Sequence, residues 1–409
     1  MDIAFPNIRH LRAFREVVRL HGISAAAEAV HLSQPAVTQA IAGLEARLDT
    51  PLFDRRPEGM FPTEEGALFA ARVTVMFDLL DQGAIDAVRQ AGRRDDQTGA
   101  RADETFPQRV TAAQLRALVA IGDHGSFSLA ARATGVSQPS IHRAGRDLEK
   151  LAGIALFAPD RKGVDLTPAA ELFARAVKLA ASELRQGFSE LSARRGRDST
   201  TITVGSLPLS RSSILPRAIH GLLAGHAGVQ LRNVDGPYDE LLKGLRHGDL
   251  DLLIGALRDP VPTDDVAQEP LFDDPLALFV GPSHPLAERR GIRLQDTLDF
   301  PWIAPPATTP AGSYLYRTLK IDALPQTPVR IVSSSMVMVR GLLMQGDYVT
   351  ILSQHQTALE QAQGVMVALP ITLPDSARPI GLTTRKGWTP TPTQARFLAL
   401  IRAAAQEGL

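Results

Sequence analysis

The stretch LSQPAVTQAIAGLE, residues 32–45, recurs 104 positions later as VSQPSIHRAGRDLE, residues 136–149. Both have the pattern of a short helix that begins with a serine N-cap and a proline in the first turn, where a missing N–H costs nothing. In the first stretch Val37, Ile41 and Leu44 fall at i, i+4 and i+7, which forms one buried face. The opposite faces differ. The sequence therefore predicts one scaffold that presents two different surfaces.

The repeat extends well beyond this helix. Residues 11–73 align with residues 115–177 without a gap. The identical pairs are Leu11/Leu115, Ser24/Ser128, Ala26/Ala130, Ala27/Ala131, Ser33/Ser137, Gln34/Gln138, Pro35/Pro139, Leu44/Leu148, Glu45/Glu149, Leu52/Leu156, Phe53/Phe157, Gly59/Gly163 and Thr63/Thr167. Each unit is long enough to bury its own core, so we expect two small domains rather than a solenoid.

Each unit is predicted to contain three helices and a hairpin. We expect the first two helices of the first unit over residues 9–21 and 24–30, and a hairpin turn near Gly59 or Gly163. A polar helix with short side chains fits the major groove of a duplex, and hairpin cations neutralise phosphates. The predicted DNA-binding residues are Ser33, Gln34, Pro35, Ala36, Thr38, Gln39, Arg55 and Arg56 in the first unit, and Ser137, Gln138, Pro139, Ser140, His142, Arg143, Arg146, Arg161 and Lys162 in the second.

The motif AAAEAVHLSQPAVTQAIAGLEARL, followed by PLF, resembles the winged helix-turn-helix of LysR-type transcriptional regulators. The second copy is similar but departs from the first at three positions. Gly145 replaces Ile41 at a cost of about 1 kcal/mol in helix propensity, Pro159 replaces Arg55, and Ala170 replaces Gly66. One such domain per chain is usual in that family. For either copy, the alternative is a winged helix that has lost DNA contact and serves only as scaffold.

Composition limits the other possibilities. The 409 residues carry no net charge, but residues 105–195 hold 13 Lys and Arg against 8 Asp and Glu, a net of +5, whereas residues 1–91 hold 9 against 12, a net of −3. The chain contains no cysteine, which excludes disulfides, thiolate metal sites and a cysteine nucleophile. We find no membrane-length apolar run and no signal-peptide core, so we expect a cytoplasmic protein.

A long helix with an apolar stripe is predicted to follow each hairpin, over residues 63–90 and 167–193. The resemblance implies that such helices pair between subunits in a homodimer or tetramer, and the alternative is a helix packed on its own domain. The expected division is 1–91 for the first winged helix with its long helix, 92–105 for a flexible linker, 106–195 for the second, and 200–409 for an effector-binding domain.

From residue 200 strands alternate with helices, which indicates a parallel α/β sheet. The segments TVGSLPL, LLKGLRHGDLDLLIG and GPSHPLA resemble the effector domain of LysR-type regulators. That resemblance implies two lobes like those of periplasmic solute-binding proteins, with lobe one at 200–275 and 380–409 and lobe two at 276–379. The candidate effector-binding residues follow predicted strand ends, namely Ser206, Leu207, Pro208, Leu209, Ser210, Ala256, Arg258, Pro305, Thr308, Thr309, Ser333, Ser334 and Ser335. Each could equally be an N-cap or turn residue.

Three other functional classes fit less well. The motifs of zinc proteases, serine hydrolases and nucleotide-binding loops are absent, and we expect neither an enzyme nor a cofactor or metal. Asp249 and Asp251 resemble a carboxylate pair, but Asp251 is better explained as a strand-entry residue that bonds to the backbone. A solute-binding protein leaves the first half of the chain unexplained, and an architectural DNA binder leaves the second half unexplained.

The sequence therefore predicts two winged helix-turn-helix domains followed by a two-lobed α/β effector domain. The resemblance implies a regulator that binds double-stranded promoter DNA and responds to a small-molecule effector, such as an organic acid, an aromatic acid or a sugar derivative. RNA polymerase is a further partner that the resemblance suggests.

Overall fold

The computed structural model describes residues 5–92, 102–160 and 163–407, except for the side chains of residues 160 and 407. These residues form two compact units. The first contains the chain up to Thr201 together with Gly228–Gln230 and Arg246–Asp249, and the second contains the rest. Residues 93–101, most of the predicted flexible linker, lie outside the described ranges.

The first copy has the predicted three helices and hairpin, followed by one long helix. Its elements are α1 (Ile8–Leu20), α2 (Ile23–Ala29), α3 (Gln34–Leu48), β1 (Phe53–Arg56), β2 (Gly59–Pro62) and α4 (Glu64–Gly92). The Ser33 side chain accepts a hydrogen bond from the Ala36 N–H at 3.4 Å, as an N-cap should. Val37, Ile41, Leu44 and Leu48 are all buried, which confirms the predicted inner face of α3.

The second copy repeats this order of elements. They are α5 (Ala112–His124), α6 (Phe127–Thr134), α7 (Gln138–Ala152), β3 (Phe157–Asp160), β4 (Gly163–Leu166) and α8 (Pro168–Arg194). The two copies also share a backbone hydrogen bond that ties the hairpin to the end of the first helix. Met60 N donates to His21 O at 2.9 Å, and Val164 N donates to Gly125 O at 3.1 Å.

Close packing explains why a glycine, Gly145, lies on the buried face of α7. A Cβ atom there would lie 3.1 Å from the Phe157 ring and 3.3 Å from Ile121 Cδ1. In the first copy the equivalent of Ile121 is the smaller Val17, and Ile41 fills the space. The departure at Gly145 is thus balanced by a larger neighbour in the same core.

The long helices α4 and α8 pack along each other in opposite directions. Gly83 approaches Ala176 and Phe173, and Gly187 approaches Arg72 and Phe69. These are equivalent contacts, because each residue of the first set lies 104 positions from its counterpart in the second. The duplicated helices are therefore related by an approximate two-fold axis within one chain.

Within one chain the long helices pair with each other, and their pairing between subunits, which the resemblance implies, stays a prediction. The apolar faces of α4 and α8 that carry Phe69, Leu80, Phe173 and Leu184 are already buried in the single chain. A second chain would have to replace this contact or associate through another surface.

The second unit has two five-stranded sheets with helices packed around them. Its principal elements are β5 (Thr201–Ser206), α9 (Ile214–Leu223), β6 (Gln230–Asp235), α10 (Tyr238–Arg246), β7 (Leu252–Ala256), β8 (Val266–Asp274), β9 (Leu276–Val280), β10 (Trp302–Ala304), α11 (Pro310–Ser313), β11 (Val329–Val332), α12 (Met336–Leu343), β12 (Val349–Ser353), α13 (Ala358–Ala362), β13 (Val367–Ala368), β14 (Arg378–Arg385) and α14 (Pro392–Glu407).

The strand orders are β6-β5-β7-β14-β8 in the first sheet and β11-β10-β12-β9-β13 in the second. The β5–β7, β10–β11 and β10–β12 pairs are parallel, but β14 runs antiparallel to β7 and β8, and β9 runs antiparallel to β12 and β13. The parallel pairing that the alternation of strands and helices predicted is confirmed for β5–β7, β10–β11 and β10–β12, and each lobe has its own sheet. The strands β14 and β9 run the other way because the chain crosses between the sheets around Pro275 and returns before Arg378, so each sheet contains a strand that enters from the other.

Candidate DNA interface and effector site

The outer face of α3 is polar and accessible. Ser33, Gln34, Pro35, Thr38 and Gln39 are exposed, and Ala36 is half-buried. Thr38 Oγ1 donates to the Gln34 carbonyl oxygen at 3.0 Å, so its hydroxyl proton is already used within the helix. Gln39 keeps an amide that can donate and accept at once, which is the pairing that an adenine edge offers in the major groove.

The outer face of α7 is polar too, but carries more positive charge. Ser137, Gln138, Pro139, Ser140, His142, Arg143 and Arg146 are all exposed. Two of them have local partners. The His142 ring lies 4.8 Å from the Phe127 ring, and Arg146 Nη1 lies 2.6 Å from Glu149 Oε2. The Arg146 side chain is 46% exposed, whereas Glu149 is only 14% exposed and also accepts from Leu156 N and Phe157 N, so Glu149 is held in place while Arg146 could turn towards a phosphate.

The hairpin cations flank this surface in the first copy. Arg55 and Arg56 are exposed on β1, and Arg56 Nη2 lies 3.6 Å from Asp54 Oδ2. Arg161 and Lys162, the predicted cations of the second hairpin, lie outside the described residues. Pro159 pairs with Val164 in that hairpin, in the position that Arg55 holds in the first.

In the first sheet two predicted strand ends lie side by side. Ser206 is the register partner of Ile254, and Leu207 N donates to Ile254 O at 3.0 Å. Ser206 is fully buried, and its Oγ has no hydrogen-bond partner among the described residues. Ser210, by contrast, donates to Leu207 O at 2.9 Å. Ser206 thus keeps a hydroxyl that a bound molecule could satisfy.

Arg258 follows the neighbouring strand end, and its guanidinium lies 4.1 Å from the centroid of the Tyr238 ring. Burial raises the pKa of the Tyr238 hydroxyl, and the positive charge of Arg258 opposes that shift. The phenol is therefore neutral, and it lies beside a cation and within hydrogen-bond reach of Gln268.

In the second sheet Ser333 N donates to Ala304 O at 2.9 Å, which brings the ends of β10 and β11 together. Thr309 caps α11 by accepting from Gly312 N, and Ser335 caps α12 by accepting from Met338 N. Ser333 Oγ accepts from Ser335 N at 3.1 Å. For Thr309, Ser333 and Ser335 the structure thus provides the capping or turn role that was the alternative to effector binding.

A buried carboxylate near the chain crossing was not predicted. Asp274 accepts from Ser353 Oγ at 2.8 Å, lies 2.8 Å from His355 Nδ1, and accepts from Arg378 Nη2 at 3.3 Å. Burial lowers the pKa of Arg378, with Asp274 opposing the shift and Arg258 adding to it. The sequence signal was an Asp-Pro step between two apolar strands, since proline interrupts a ladder and often marks a bend.

Asp249 and Asp251 do not form a paired carboxylate site. Asp251 accepts from Thr203 N at 2.7 Å, so the strand-entry role is confirmed. Asp249 pairs with Lys178 at 3.2 Å. Among the described residues no cluster of three or more metal-ligating side chains occurs. Within the same ranges, no helix is both long and apolar enough to span a bilayer.

Known proteins match both halves of the chain. The pattern described as the helix-turn-helix of bacterial regulatory proteins of the lysR family matches twice, at residues 8–67 and 112–171. The pattern described as the LysR substrate binding domain matches residues 195–406. The double match supports the tandem arrangement that the repeat predicted.

Among curated relatives, the HTH-type transcriptional regulator GalR of Pseudomonas putida is 32% identical over 416 residues, which cover 100% of this chain and 99% of that protein. PcaQ of Agrobacterium fabrum is 30% identical over 301 residues, which cover 73% of this chain and 96% of that protein. The solved structure of a point variant of full-length OxyR from Pseudomonas aeruginosa superposes with a TM-score of 0.51 at 22% identity, covering 72% of this chain and 94% of that one, which supports the fold. The chain therefore belongs to the LysR family of transcriptional regulators and carries the DNA-binding helix-turn-helix domain of that family twice, ahead of one effector-binding domain.

Proposed function

We propose that a single chain reads two unlike DNA half-sites with its two winged helices acting as a pair. The observation that carries this proposal is the antiparallel pairing of α4 and α8 about an approximate two-fold axis. Two winged helices that are related by a two-fold axis fit two half-sites in opposite orientations. Because the outer faces of α3 and α7 differ, the two half-sites should have different sequences.

The residue types support a specific difference between the half-sites. Gln39 favours an adenine, and Thr38 favours a neighbouring thymine methyl. Arg143 favours guanine, whose O6 and N7 accept a bidentate guanidinium. Two associated chains would bring four winged helices to DNA and could cover an extended site with two kinds of half-site.

Selection of bound DNA from a random pool, using the full chain, tests this proposal. The expected product contains two unlike elements in opposite orientations, one rich in adenine and thymine and the other containing guanine. A product with two identical inverted halves, or with one element alone, would contradict it. The His142→Ala/Arg143→Ala chain supplies the control, since it should lose enrichment of the guanine-containing element only.

For the effector, we propose a small organic or aromatic carboxylate held near the strand ends of the first sheet. Arg258 and Arg378 bring two guanidinium groups near each other, and only Asp274 is bonded to Arg378 among the described carboxylates. Ser206 adds a buried hydroxyl with no described partner. A carboxylate would accept from these donors and relieve the repulsion between the cations. A sugar derivative would use the hydroxyl donors but gain little from the charges.

Thermal unfolding in the presence of aromatic and aliphatic acids, their methyl esters and neutral sugars separates these possibilities. A ligand that binds only the folded state raises the melting temperature with its concentration. We expect acids to stabilise the chain and their esters to have no effect, and Arg258→Met should remove the response. Stabilisation by neutral sugars alone would contradict a carboxylate effector. Contact with RNA polymerase is the remaining step by which such a complex would alter transcription.

A further inference from the structure

Because of the duplication, the long helices α4 and α8 could pair in more than one way. Two helices that descend from one sequence and pack about a two-fold axis can pair as α4 with α8 in one chain, or as like helices between two chains. The contact at Gly83 and its equivalent at Gly187 does not discriminate, because both are glycines. The choice must come from positions where the two helices differ.

One such position is a buried cluster of three charges. Arg72 Nε and Nη2 donate to Glu190 Oε2 and Oε1 at 3.0 and 2.6 Å, and Arg72 Nη1 donates to Glu183 Oε2 at 2.8 Å. The three side chains are only 8%, 8% and 12% exposed for Arg72, Glu190 and Glu183. Burial lowers the pKa of Arg72, but the hydrogen bonds and charges of Glu190 and Glu183 together outweigh it and raise the pKa.

This cluster has no counterpart on the other side of the two-fold axis. The residues 104 positions away from Arg72, Glu183 and Glu190 are Ala176, Leu79 and Asp86. Arg194 adds a second unmatched contact, because it pairs with Glu64 and Glu65, whereas the equivalent residue in the first copy is Gln90.

Like-helix pairs would lose these partners. We call the surface along which two paired long helices touch the seam. In an α8·α8 pair, Glu183 and Glu190 of each chain would face Ala176 of the other. Four carboxylates would then lie in the seam without the guanidinium that now binds them. In an α4·α4 pair, Arg72 would face Leu79 and Asp86 and lose one of its two acceptors. Removing one partner of a buried ion pair is strongly unfavourable, whereas the intact pair contributes little net stability. The cluster therefore discriminates between partners more than it stabilises one.

We infer that the buried Arg72–Glu183–Glu190 cluster selects pairing of the two unlike helices and excludes pairing of like helices between chains. In the selected arrangement, every pair of winged helices contains one α3 and one α7. The inference concerns helix pairing and does not depend on DNA binding.

A symmetrised seam tests it. The variant Arg72→Ala/Glu183→Leu/Glu190→Asp gives each position the residue that the other copy already has there, so the seam loses its asymmetry. The reporter is Val75→Cys, in a chain that has no other cysteine. Val75 is 43% exposed and lies three residues from Arg72, at the edge of the face of α4 that packs on α8 and close to the point where the axis of an α4·α4 pair would cross. A bismaleimide should then join two chains when their α4 helices pair.

With the native seam we expect almost no covalent dimer from the full-length chain. The symmetrised seam should increase the dimer by about ten-fold or more, because like and unlike pairs then place the same residues opposite each other and the charges no longer favour either pair. The milder Glu183→Leu variant keeps the Arg72–Glu190 bonds and should give an intermediate increase. Arg402→Ala, which removes an exposed ion pair with Glu269 in the other unit, is the matched control and should leave the yield unchanged.

Circular dichroism checks that each variant retains its helices. If the triple variant failed to fold, the Glu183→Leu variant would still decide the question. Unchanged cross-linking in a folded variant with either altered seam would overturn the inference. So would abundant cross-linking of the chain with the native seam.

Discussion

Arg72 and Glu190 lie 118 residues apart in the chain, yet form two hydrogen bonds of 3.0 and 2.6 Å in the buried seam between α4 and α8. A bidentate guanidinium–carboxylate pair is directional, so it sets both the partner and the register of the two helices. In this regulator the intrachain seam thus joins the two DNA-binding domains through contacts that neither domain could form alone.

Replacement of Arg72 by leucine should strongly destabilise the first unit. It leaves Glu183 and Glu190 buried without their cation, which costs about 3–5 kcal/mol when a buried pair is broken. Urea unfolding followed by circular dichroism measures the loss. Arg402→Ala should cost only about 0–1 kcal/mol, because its pair with Glu269 is exposed. Equal costs for the two variants would mean that the seam charges are not buried in solution.

The close approach at Gly83 predicts an unusual response to alanine. A Cβ at this position would lie 2.2 Å from Ala176 Cβ, so Gly83→Ala should force the helices apart and destabilise the chain by about 1–3 kcal/mol. Gly43, in the interior of α3, has no atom within 4 Å of such a Cβ. There the same substitution should stabilise by about 0.5–1 kcal/mol, since alanine is the better helix former. Stabilisation by both substitutions would contradict the close packing of α4 on α8.

Much of this architecture follows from local sequence, because local signals act within a few residues. Ser33 and Thr167 cap helices as such residues do, and Asp251 bonds to the Thr203 backbone at the strand entry. The pairing of α4 with α8 could not be predicted in the same way. An apolar stripe states that a helix face will be buried, but does not identify the helix that will cover it.

The residues whose roles could not be predicted from the sequence depend on long-range contacts. In the sequence nothing distinguishes Arg72 from the other charged residues of a helix, because its partners Glu183 and Glu190 lie 111 and 118 residues away. Asp274 gains its importance from Ser353 and Arg378, which belong to strands far along the chain. In the sequence Gly145 is a departure from the first copy. Its reason, the close packing against Phe157 and Ile121, depends on the tertiary fold.

The salt dependence of DNA binding tests the hairpin cations. Each phosphate contact that is lost should reduce the slope of log K against log salt by about one unit. We expect this reduction for Arg55→Ala in the first hairpin and for Arg161→Ala in the second, measured by fluorescence anisotropy with a duplex that contains both half-sites. Arg402→Ala is the charge-matched control. A slope that Arg161→Ala leaves unchanged would mean that Arg161 does not contact phosphate.

His284 should make the stability of the second unit sensitive to mild acid. The Leu286 N–H donates to His284 Nδ1 at 3.0 Å, which requires that nitrogen to be unprotonated. Burial lowers the pKa of His284 below 6.5, and Asp347 opposes the shift. The folded state therefore binds the proton less well than the unfolded chain does. The contribution is fully present above pH 6.5 and is lost as the pH falls below that value, at no more than about 1.4 kcal/mol per pH unit.

Urea unfolding of the native chain and of His284→Leu across this range measures the effect. The native chain should lose stability faster than the variant as the pH falls from 6.5 towards about 5. Parallel pH profiles for the two chains would contradict the assignment of a neutral, hydrogen-bonded imidazole.

Footprinting on the DNA upstream of the protein's own gene tests most directly whether both copies read DNA. The intact chain is compared with Gln34→Ala/Gln39→Ala and with His142→Ala/Arg143→Ala, all of which change exposed residues and should leave the fold unchanged. We expect each pair of substitutions to remove protection from a different part of the site. Protection that depends on Gln34 and Gln39 alone would contradict it, and would make the second winged helix a scaffold that pairs with the first without touching DNA.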